Sequence, residues 1–542
     1  MTLPYLTDDC IYYILQYLQN DHSTLFKCLL VNRFWCKSTI PLLYANPFAN
    51  TTEKNYLITS TLILCFNKAE IIQLKNQLGL SQINNINFDN FDKEHKPLFE
   101  YPKYLKYLKN CNNFIINFVI SKWFAKYIPN LPIFCVDNIF PIFLQSILRQ
   151  SRNIEQLDIS LNLFYEESFK NFNFQNFTSN LTKLNSLSLN FHSSGTDNTV
   201  NKEIEQEFLR NIANFCTNAS KLIIELPEIR RPLYQHDTSN DLIITTTTLE
   251  KLCTIIQVQN KLKMFKIWDC HFLLNNILLS LEFQKHSLVH VEFIACDFSN
   301  VSLKRFNYLY NLEYLKFISC KGILLNQCES LNFSSFKLKE LSFKHNYWNV
   351  DVASLMIKYL GASLQRLLVE TPSSSLIKNI SIYCPNLIFL EIIIDSHIDL
   401  SVIQLFKNLR TRILSISTLC DDTDKFFINL ANNISINIDK IFINSYSRNS
   451  SRLLKYKKYK EFLENCHNRF EMINLKYIIE LEFFKIVLNY IERSNNSLKV
   501  LGMMKCKKLN DEELKLLNLI KAKGVEIVNY STIYHDLCKF AF

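Results

Sequence analysis

Glycine is almost missing from this chain of 542 residues. There are six, Gly79, Gly195, Gly322, Gly361, Gly502 and Gly524, and no two lie close together. A Gly-rich turn that lets backbone amides close around a phosphate cannot be built from them, which excludes P-loop, dinucleotide-fingerprint and protein-kinase chemistry. Cys-x-x-Cys, His-Glu-x-x-His and Gly-x-Ser-x-Gly are also absent, removing zinc-ribbon, zincin and hydrolase-elbow readings. The opening, Met1 to Asp9, has no basic n-region and turns acidic at once, so a secretory leader is not expected. The most membrane-like stretch, Leu131 to Leu148, is interrupted by Pro132, Asp137, Asn138 and Pro141 and is shorter than a span needs, so no membrane association is expected. Neither charge sign dominates: 60 Lys and Arg stand against 50 Asp and Glu, interleaved along the chain. A nucleic-acid binder clusters its cations instead. The 17 cysteines are odd in number, and the expectation is free thiols in a reducing compartment, cytoplasmic and/or nuclear.

Apolar residues are plentiful, at 48% with 13% aromatic, so the chain can bury far more than one ordinary core. That length and composition point to several domains or one long repeat array. Residues 6 to 48 read as three short helices. Ile11, Ile14, Leu15 and Leu18 form one stripe, with Thr7 or Asp8 as cap and Asp8 and Asp9 suited to the helix dipole. Ser23 or Asp21 can cap a second helix carrying Leu25, Cys28, Leu29 and Val31. Asn32 can cap a third carrying Trp35, which Pro41 ends or restarts. So short a unit cannot bury a self-sufficient core; its stripes either pack on the next domain or form an obligate contact surface.

The order Leu6-Thr7-Asp8-Asp9-Cys10-Ile11, Ile14-Leu15-x-Tyr17-Leu18, Leu25, Cys28 to Trp35 and Pro41-Leu42-Leu43-Tyr44 resembles the F-box. Thr7 stands where that family has Pro, and Asn32 where it has Cys. The resemblance implies a small helical domain that docks on the adaptor of a cullin-based ubiquitin ligase. The contact would use Leu6, Ile11, Ile14, Leu15, Leu18, Leu29, Val31 and Trp35.

Farther along, a Leu-x-x-Leu-x-Leu-x-x-Asn/Cys pattern recurs. Copies run Ile154-Leu157-Ile159-Asn162, Leu262-Phe265-Ile267-Cys270, Leu288-Val291-Phe293-Cys296, Leu312-Leu315-Phe317-Cys320 and Leu338-Leu341-Phe343-Asn346. Looser copies begin at Leu184, Leu364 and Leu387, and a late one runs Leu498-Leu501-Met503-Cys506. From Leu262 to Leu387 the starts are 23–26 residues apart, within the roughly 20–29 of leucine-rich repeats. Alternation along a short strand puts the second and third Leu-like positions in the core and their neighbours in solvent. Cys270, Cys296, Cys320 and Cys506 then belong to an internal ladder of structural thiols. Near the end, Asn510 or Asp511 can cap a helix with Leu514, Leu517 and Ile520 on one face. Gly524 can stop it, and Val525 begins a strand. Cys384-Pro385-Asn386-Leu387 and the unit from Leu498 resemble the cysteine-containing leucine-rich repeat, a subtype that accompanies F-boxes.

Register is weak elsewhere. Between Leu184 and Leu262 only one repeat, near Leu222 and Ile224, can be placed, and it fails again around 445–470. Residues 193–204 and 234–241 read as loops. Residues 49–150 show helical patches, a loop near Asn84 to Pro97, and no repeat. Asp421-Asp422-Thr423-Asp424 reads as a solvated turn rather than a cation site. The basic run Arg452 to Lys460, with Tyr456 and Tyr459 interleaved, is the best nucleic-acid candidate; Glu461 and Glu464 favour a solvated helix face. His271, His290 and His345 read as packed or surface residues, and no metal or cofactor site is expected.

The expected class is α/β: a small all-α F-box (residues 1–48), a helical bridge and cap (49–150), and a leucine-rich-repeat solenoid (151–542). The resemblances imply a non-catalytic substrate-recognition subunit of a ubiquitin ligase, joined through the adaptor to cullin and holding a protein substrate on its repeats. The alternative is a ligase-independent interaction scaffold. Substrate contact is expected at solvent-facing strand positions: Met264, Lys266, Trp268, His290, Glu292, Ile294, Tyr314, Lys316, Ile318, Glu340, Ser342 and Lys344.

Overall fold

A computed structural model describes residues 6–48, 56–77, 97–109, 122, 140–165, 169, 172–191, 199–227, 246–394, 399–418, 424–445, 452–475, 481–504 and 509–533. The chain divides into two compact units, Met1–Asp269 and Cys270–Phe542.

The first unit opens with the three expected helices, α1 (Asp8–Tyr17), α2 (His22–Cys28) and α3 (Arg33–Leu43), each started by a polar side chain. Thr7 accepts from the Cys10 amide at 3.5 Å, Asp21 from Thr24 at 3.0 Å and Asn32 from Trp35 at 2.9 Å. These caps satisfy donors that a helix start leaves orphaned. Ile11, Leu15, Leu25, Cys28 and Leu43 form a shared core, edged by Leu18, Leu29, Trp35, Leu42 and Tyr44. Pro41 neither ends nor restarts a helix; it lies inside α3. The end of α3 runs into the next segment. The Ala45 carbonyl accepts from the amides of Lys106 and Tyr107, both at 2.9 Å, and the rings of Tyr44 and Tyr101 meet at 4.4 Å.

Residues 49–150 do contain helices, Tyr56–Ile63, Lys68–Gln77 and Phe140–Gln150, but also a strand. β1 (Tyr107–Leu108) pairs in parallel with β2 (Gln156–Ser160), so the ladder begins before residue 151, in a stretch where the sequence shows no repeat. β2 is followed by β3 (Ser186–Asn190), β4 (Lys221–Glu225) and β5 (Met264–Trp268), each parallel to the last. Among the described residues between β3 and β5 there is one strand, in keeping with the single repeat that could be placed there. The space is spent on long helices, Thr199–Phe215 and Thr246–Gln257. The first of these corrects the expected loop at 193–204, which is helical from Thr199.

The second unit continues the same plan with β6 (His290–Ile294), β7 (Tyr314–Ile318), β8 (Glu340–Lys344), β9 (Arg366–Glu370) and β10 (Phe389–Ile394). After them come β11 (Ile413–Thr418), β12 (Lys440–Ser445), β13 (Met472–Leu475), β14 (Val500–Met503) and β15 (Glu526–Asn529). From β6 to β15 every neighbouring pair is parallel. A helix or short 3-10 segment separates each strand from the next, as a parallel crossover requires. In β7, Leu315 and Phe317 are buried while Tyr314, Lys316 and Ile318 are half-buried, the alternation that period-2 geometry imposes. Phe293, Phe317 and Phe343 hold one register, and their rings stack at 5.8 and 6.0 Å.

The corners after β5 to β9 each take one left-handed residue. Asp269, Ala295, Ser319, His345 and Thr371 all have φ between 43° and 57°, and none is glycine. Such a conformation costs about 1–2 kcal/mol apiece, so neighbouring groups must hold the turn. After Asp269, Ala295, Ser319 and His345 the next residue is the one at the Cys/Asn position. Cys270, Cys296 and Cys320 are fully buried, and the Cys320 thiol lies 3.3 Å from the Phe293 carbonyl. Asn346 accepts from the Cys320 amide at 2.9 Å and donates to the Phe317 carbonyl at 3.0 Å.

At the far end Asn510 caps the helix Asp511–Ala522 in a reciprocal box with Glu513, and Gly524 takes φ 86°. Leu514, expected on the packed face, is 42% exposed, and only Ile520 is buried. Cys506 and residues 421–423 lie outside the described residues.

Candidate functional sites

Two surfaces carry the candidate residues: the open face of the strands, opposite the packed core, and the helical unit at the start of the chain. In β5 the open face presents Met264, Lys266 and Trp268, all half-buried, with the Lys266 ammonium 4.2 Å from the centre of the Trp268 ring. The aromatic face attracts the cation and holds it over the indole.

In the second unit, the open faces of β6 to β9 carry a connected series of charges. His290 Nε2 is 2.9 Å from Glu292 Oε1, and the Lys316 ammonium is 3.5 Å from that oxygen and 3.1 Å from Glu340 Oε1. Arg366 Nε lies 3.3 Å from Glu340 Oε2, and its guanidinium sits 4.7 Å over the Phe389 ring. His290 also stacks on Tyr314 at 5.6 Å. Strand register produces this arrangement: Glu292 pairs with Lys316, and Glu340 with Arg366, as Cα partners in neighbouring strands. Cross-strand neighbours of opposite charge come within reach without any loop to position them.

This corrects part of the sequence expectation. His290, Glu292, Glu340 and Ser342 lie on the predicted face but are buried. Long side chains on neighbouring strands, spaced about 4.8 Å apart, cover one another, an effect that alternation along one strand cannot reveal. Ile294, Tyr314, Lys316, Ile318 and Lys344 are half-buried and reachable. Arg366 completes the series and was missed, although its register position after Leu364 matches Glu340 after Leu338. Beyond the strands, His345 is exposed, with Nδ1 3.2 Å from Glu370 Oε1.

The helical unit also differs from expectation. Ile11 and Leu15 are core, and Leu18, Leu29 and Trp35 pack against that core. Leu6, Ile14 and Val31 are exposed, at 52%, 40% and 59%. Tyr13, Tyr17 and Leu30 are more exposed still, and Phe26 is exposed to a similar degree; none of them lies on the predicted stripe. The Leu-based pattern ranked the stripe by what packs, so it found the inside of the unit better than its outside.

The basic run lies on the helix Arg452–Asn465, where Tyr459 is buried against Phe427 at 6.1 Å and cannot stack on a base. Among the described residues no three His, Cys, Asp or Glu side chains are grouped to hold a metal ion. No described helix is long and apolar enough to cross a membrane. Burial raises the thiols of Cys216 and Cys384 to about 12 and those of Cys328 and Cys466 to about 11. Thiols that cannot ionise near neutral pH are poor nucleophiles.

No protein-family model matches the chain, and no curated protein matches it. Among solved structures, it is similar to an internalin (inlF) from Listeria monocytogenes at 12% identity and TM-score 0.30, covering 76% of this chain and 94% of that one. A TLR13–ssRNA13 complex matches at 12% identity and TM-score 0.36, over 71% of this chain and 48% of that one. The yeast Rad7 and Elc1 complex matches at 14% identity and TM-score 0.33, over 70% and 81%. The ladder of parallel strands and returning helices, with its repeated Leu-like and Cys/Asn positions, is an α/β arrangement that resembles leucine-rich-repeat folds.

Proposed function

We propose that this chain is a non-catalytic protein-interaction scaffold whose leucine-rich-repeat-type units present an open strand face to a protein partner. The observation that carries the reading is the charge series from His290 to Arg366. Its members are held by one another and by the sheet, so the face meets a partner already ordered and loses little side-chain freedom on binding. In the second unit Tyr314, Lys316 and Ile318 remain reachable on β7, a mixture of aromatic, basic and apolar groups suited to a protein interface, and in the first unit Trp268 is reachable on β5. The test is partner capture by the full chain compared with a Trp268→Ala/Tyr314→Ala variant, neither residue being core. Loss of a wild-type partner from the variant, with unchanged circular dichroism, supports the reading. Equal capture removes the strand face from it.

A narrower reading makes the scaffold a substrate-recognition subunit of a cullin-based ubiquitin ligase in the cytoplasm or nucleus. Supporting it, Tyr13, Ile14, Tyr17, Phe26, Leu30 and Val31 leave unusual apolar surface on a unit of three short helices. Surface of that kind on a small unit marks a contact site. Adaptor and cullin should copurify with the wild-type chain and be lost from Tyr13→Asp/Leu30→Asp. Their absence from the wild-type complex would leave the ligase-independent scaffold.

A further inference from the structure

The open face of the strands is not uniform. In β2 to β5 every open-face side chain, from Gln156 to Trp268, is half-buried, as expected for one side of a sheet that meets solvent. From β10 to β14 the face divides: Ile413, Lys440, Met472 and Val500 at the strand starts, and Ile393, are half-buried, whereas most of the other outward positions are closed. Phe389 lies under the Arg366 guanidinium, but Glu391, Ser415, Ser417, Phe442, Asn444 and Asn474 also point away from the core and are buried, Asn474 completely. Most of these side chains are short, so they cannot cover one another as Lys316 and Arg366 do. Another part of the chain must lie over them.

The structure shows where that cover starts. After β15, Asn529 accepts from the Ser531 amide at 3.0 Å and turns the chain. Tyr530 and Ile533 come down on the open side of β13 and β14, and both are buried. Asn474 Nδ2 donates to the Tyr530 carbonyl at 3.4 Å. Gly502 lies beside Asn474 in register, and a Cβ there would collide with Asn474 Oδ1 and stand 2.9 Å from Ile533 Cδ1. Only the missing side chain lets the C-terminal turn approach so closely. The amide oxygens of Asn444 and Asn474 are buried and meet no hydrogen-bond donor among the described residues, where buried oxygens are ordinarily paired.

We propose that the chain's own C-terminal segment, entering at Tyr530–Ile533, occupies the open face of β10 to β14, so that a partner for those repeats must displace it. The nine residues after Ile533, Tyr534 to Phe542, carry Tyr534, Leu537, Phe540 and Phe542 for apolar cover and backbone N–H groups for the two asparagines. Extended, they reach roughly 30 Å. The four strand spacings from β14 to β10 need about 19 Å. The repeats left free for a partner are then those from β2 to β5 in the first unit and β6 to β9 in the second.

The test reads the chain alone and is therefore separate from any partner assignment. Asn444→Cys is placed in the full chain, and maleimide labelling at that position is followed by mass-spectrometric mapping, with and without Ile533→Asp. Expected is labelling at least about tenfold faster once Ile533→Asp lifts the segment, with unchanged circular dichroism. Rapid labelling in both chains means that the face is open, and slow labelling in both means that something else covers it; either result overturns the proposal. Should Ile533→Asp fail to fold, the wild-type monomer provides a second measurement. A lysine-reactive cross-linker should join Lys539 to Lys440, which is on the open side of β12. Reaction of Lys539 only with lysines away from that face overturns the proposal as well.

Discussion

Replacing Asn346 by Ala tests the physical basis of the left-handed corner that follows β6 to β9. The Asn346 side chain satisfies two backbone groups of the preceding repeat, the Cys320 N–H at 2.9 Å and the Phe317 C=O at 3.0 Å. Cys320 and Phe317 are both fully buried, so water cannot replace the lost partner at no cost. An unpaired buried donor or acceptor costs about 1–3 kcal/mol; because Asn346 itself is only half-buried, the two together fall in the lower part of the summed range, about 2–4 kcal/mol. Local opening should become roughly thirty- to thousandfold more frequent by that arithmetic. Amide hydrogen exchange in peptides spanning β7 and Cys320 reads this directly, alongside the urea midpoint by circular dichroism. Asn386→Ala is the control, because Asn386 makes a single 2.8 Å bond to the Ala362 carbonyl in an exposed turn and should shift stability by only about 0.5 kcal/mol. Asn346→Cys, which installs the residue type found at Cys270, Cys296 and Cys320, should fall between the wild type and Asn346→Ala. Less than about a threefold change in β7 exchange for Asn346→Ala would refute the claim that this side chain holds the corner.

Leu15→Asp should unfold the helical unit, because Leu15 is fully buried in its core; Tyr13→Asp should leave the helical content intact, and near-identical circular dichroism for the two variants would contradict the packing described. Lys316→Met should destabilise the second unit by about 2–4 kcal/mol in urea, since it leaves Glu292 and Glu340 one cation short in a buried series, and a neutral or stabilising result would show the carboxylates to be otherwise compensated. Burial raises the Cys216 and Cys384 thiols from 9.0 to about 12, so the folded chain keeps protons that the unfolded chain loses. Their contribution is fully present below about pH 9 and falls above it by about 1.4 kcal/mol per pH unit per thiol, up to the folded value; Cys216→Ala/Cys384→Ala should flatten the alkaline limb of the stability profile, and an unchanged limb would contradict the linkage.

Much of the fold was legible because it is local. Leu315 and Phe317 face inward because a strand alternates, and Asn32, Asp21 and Asn510 start helices because their side chains reach backbone amides three residues on. The spacing from Leu262 to Leu387 sets the repeat because each unit must bring its Leu-like residues back to the same core. Two short strands, of two and four residues, escaped notice. β1 has only Tyr107 and Leu108, and β13 reads Met472-Ile473-Asn474-Leu475, but their neighbours impose pairing on both. Tertiary structure alone decided which outward-facing residues are available. His290, Glu292 and Glu340 are closed by side chains from adjacent strands, and Asn474 by a turn more than fifty residues later. On α1, the three-dimensional packing of α2 and α3 chose Ile11 and Leu15 for the core and left Ile14 and Tyr13 outside. Periodicity states which residues share a face; burial of that face depends on what packs against it, and those contacts come from residues distant in sequence.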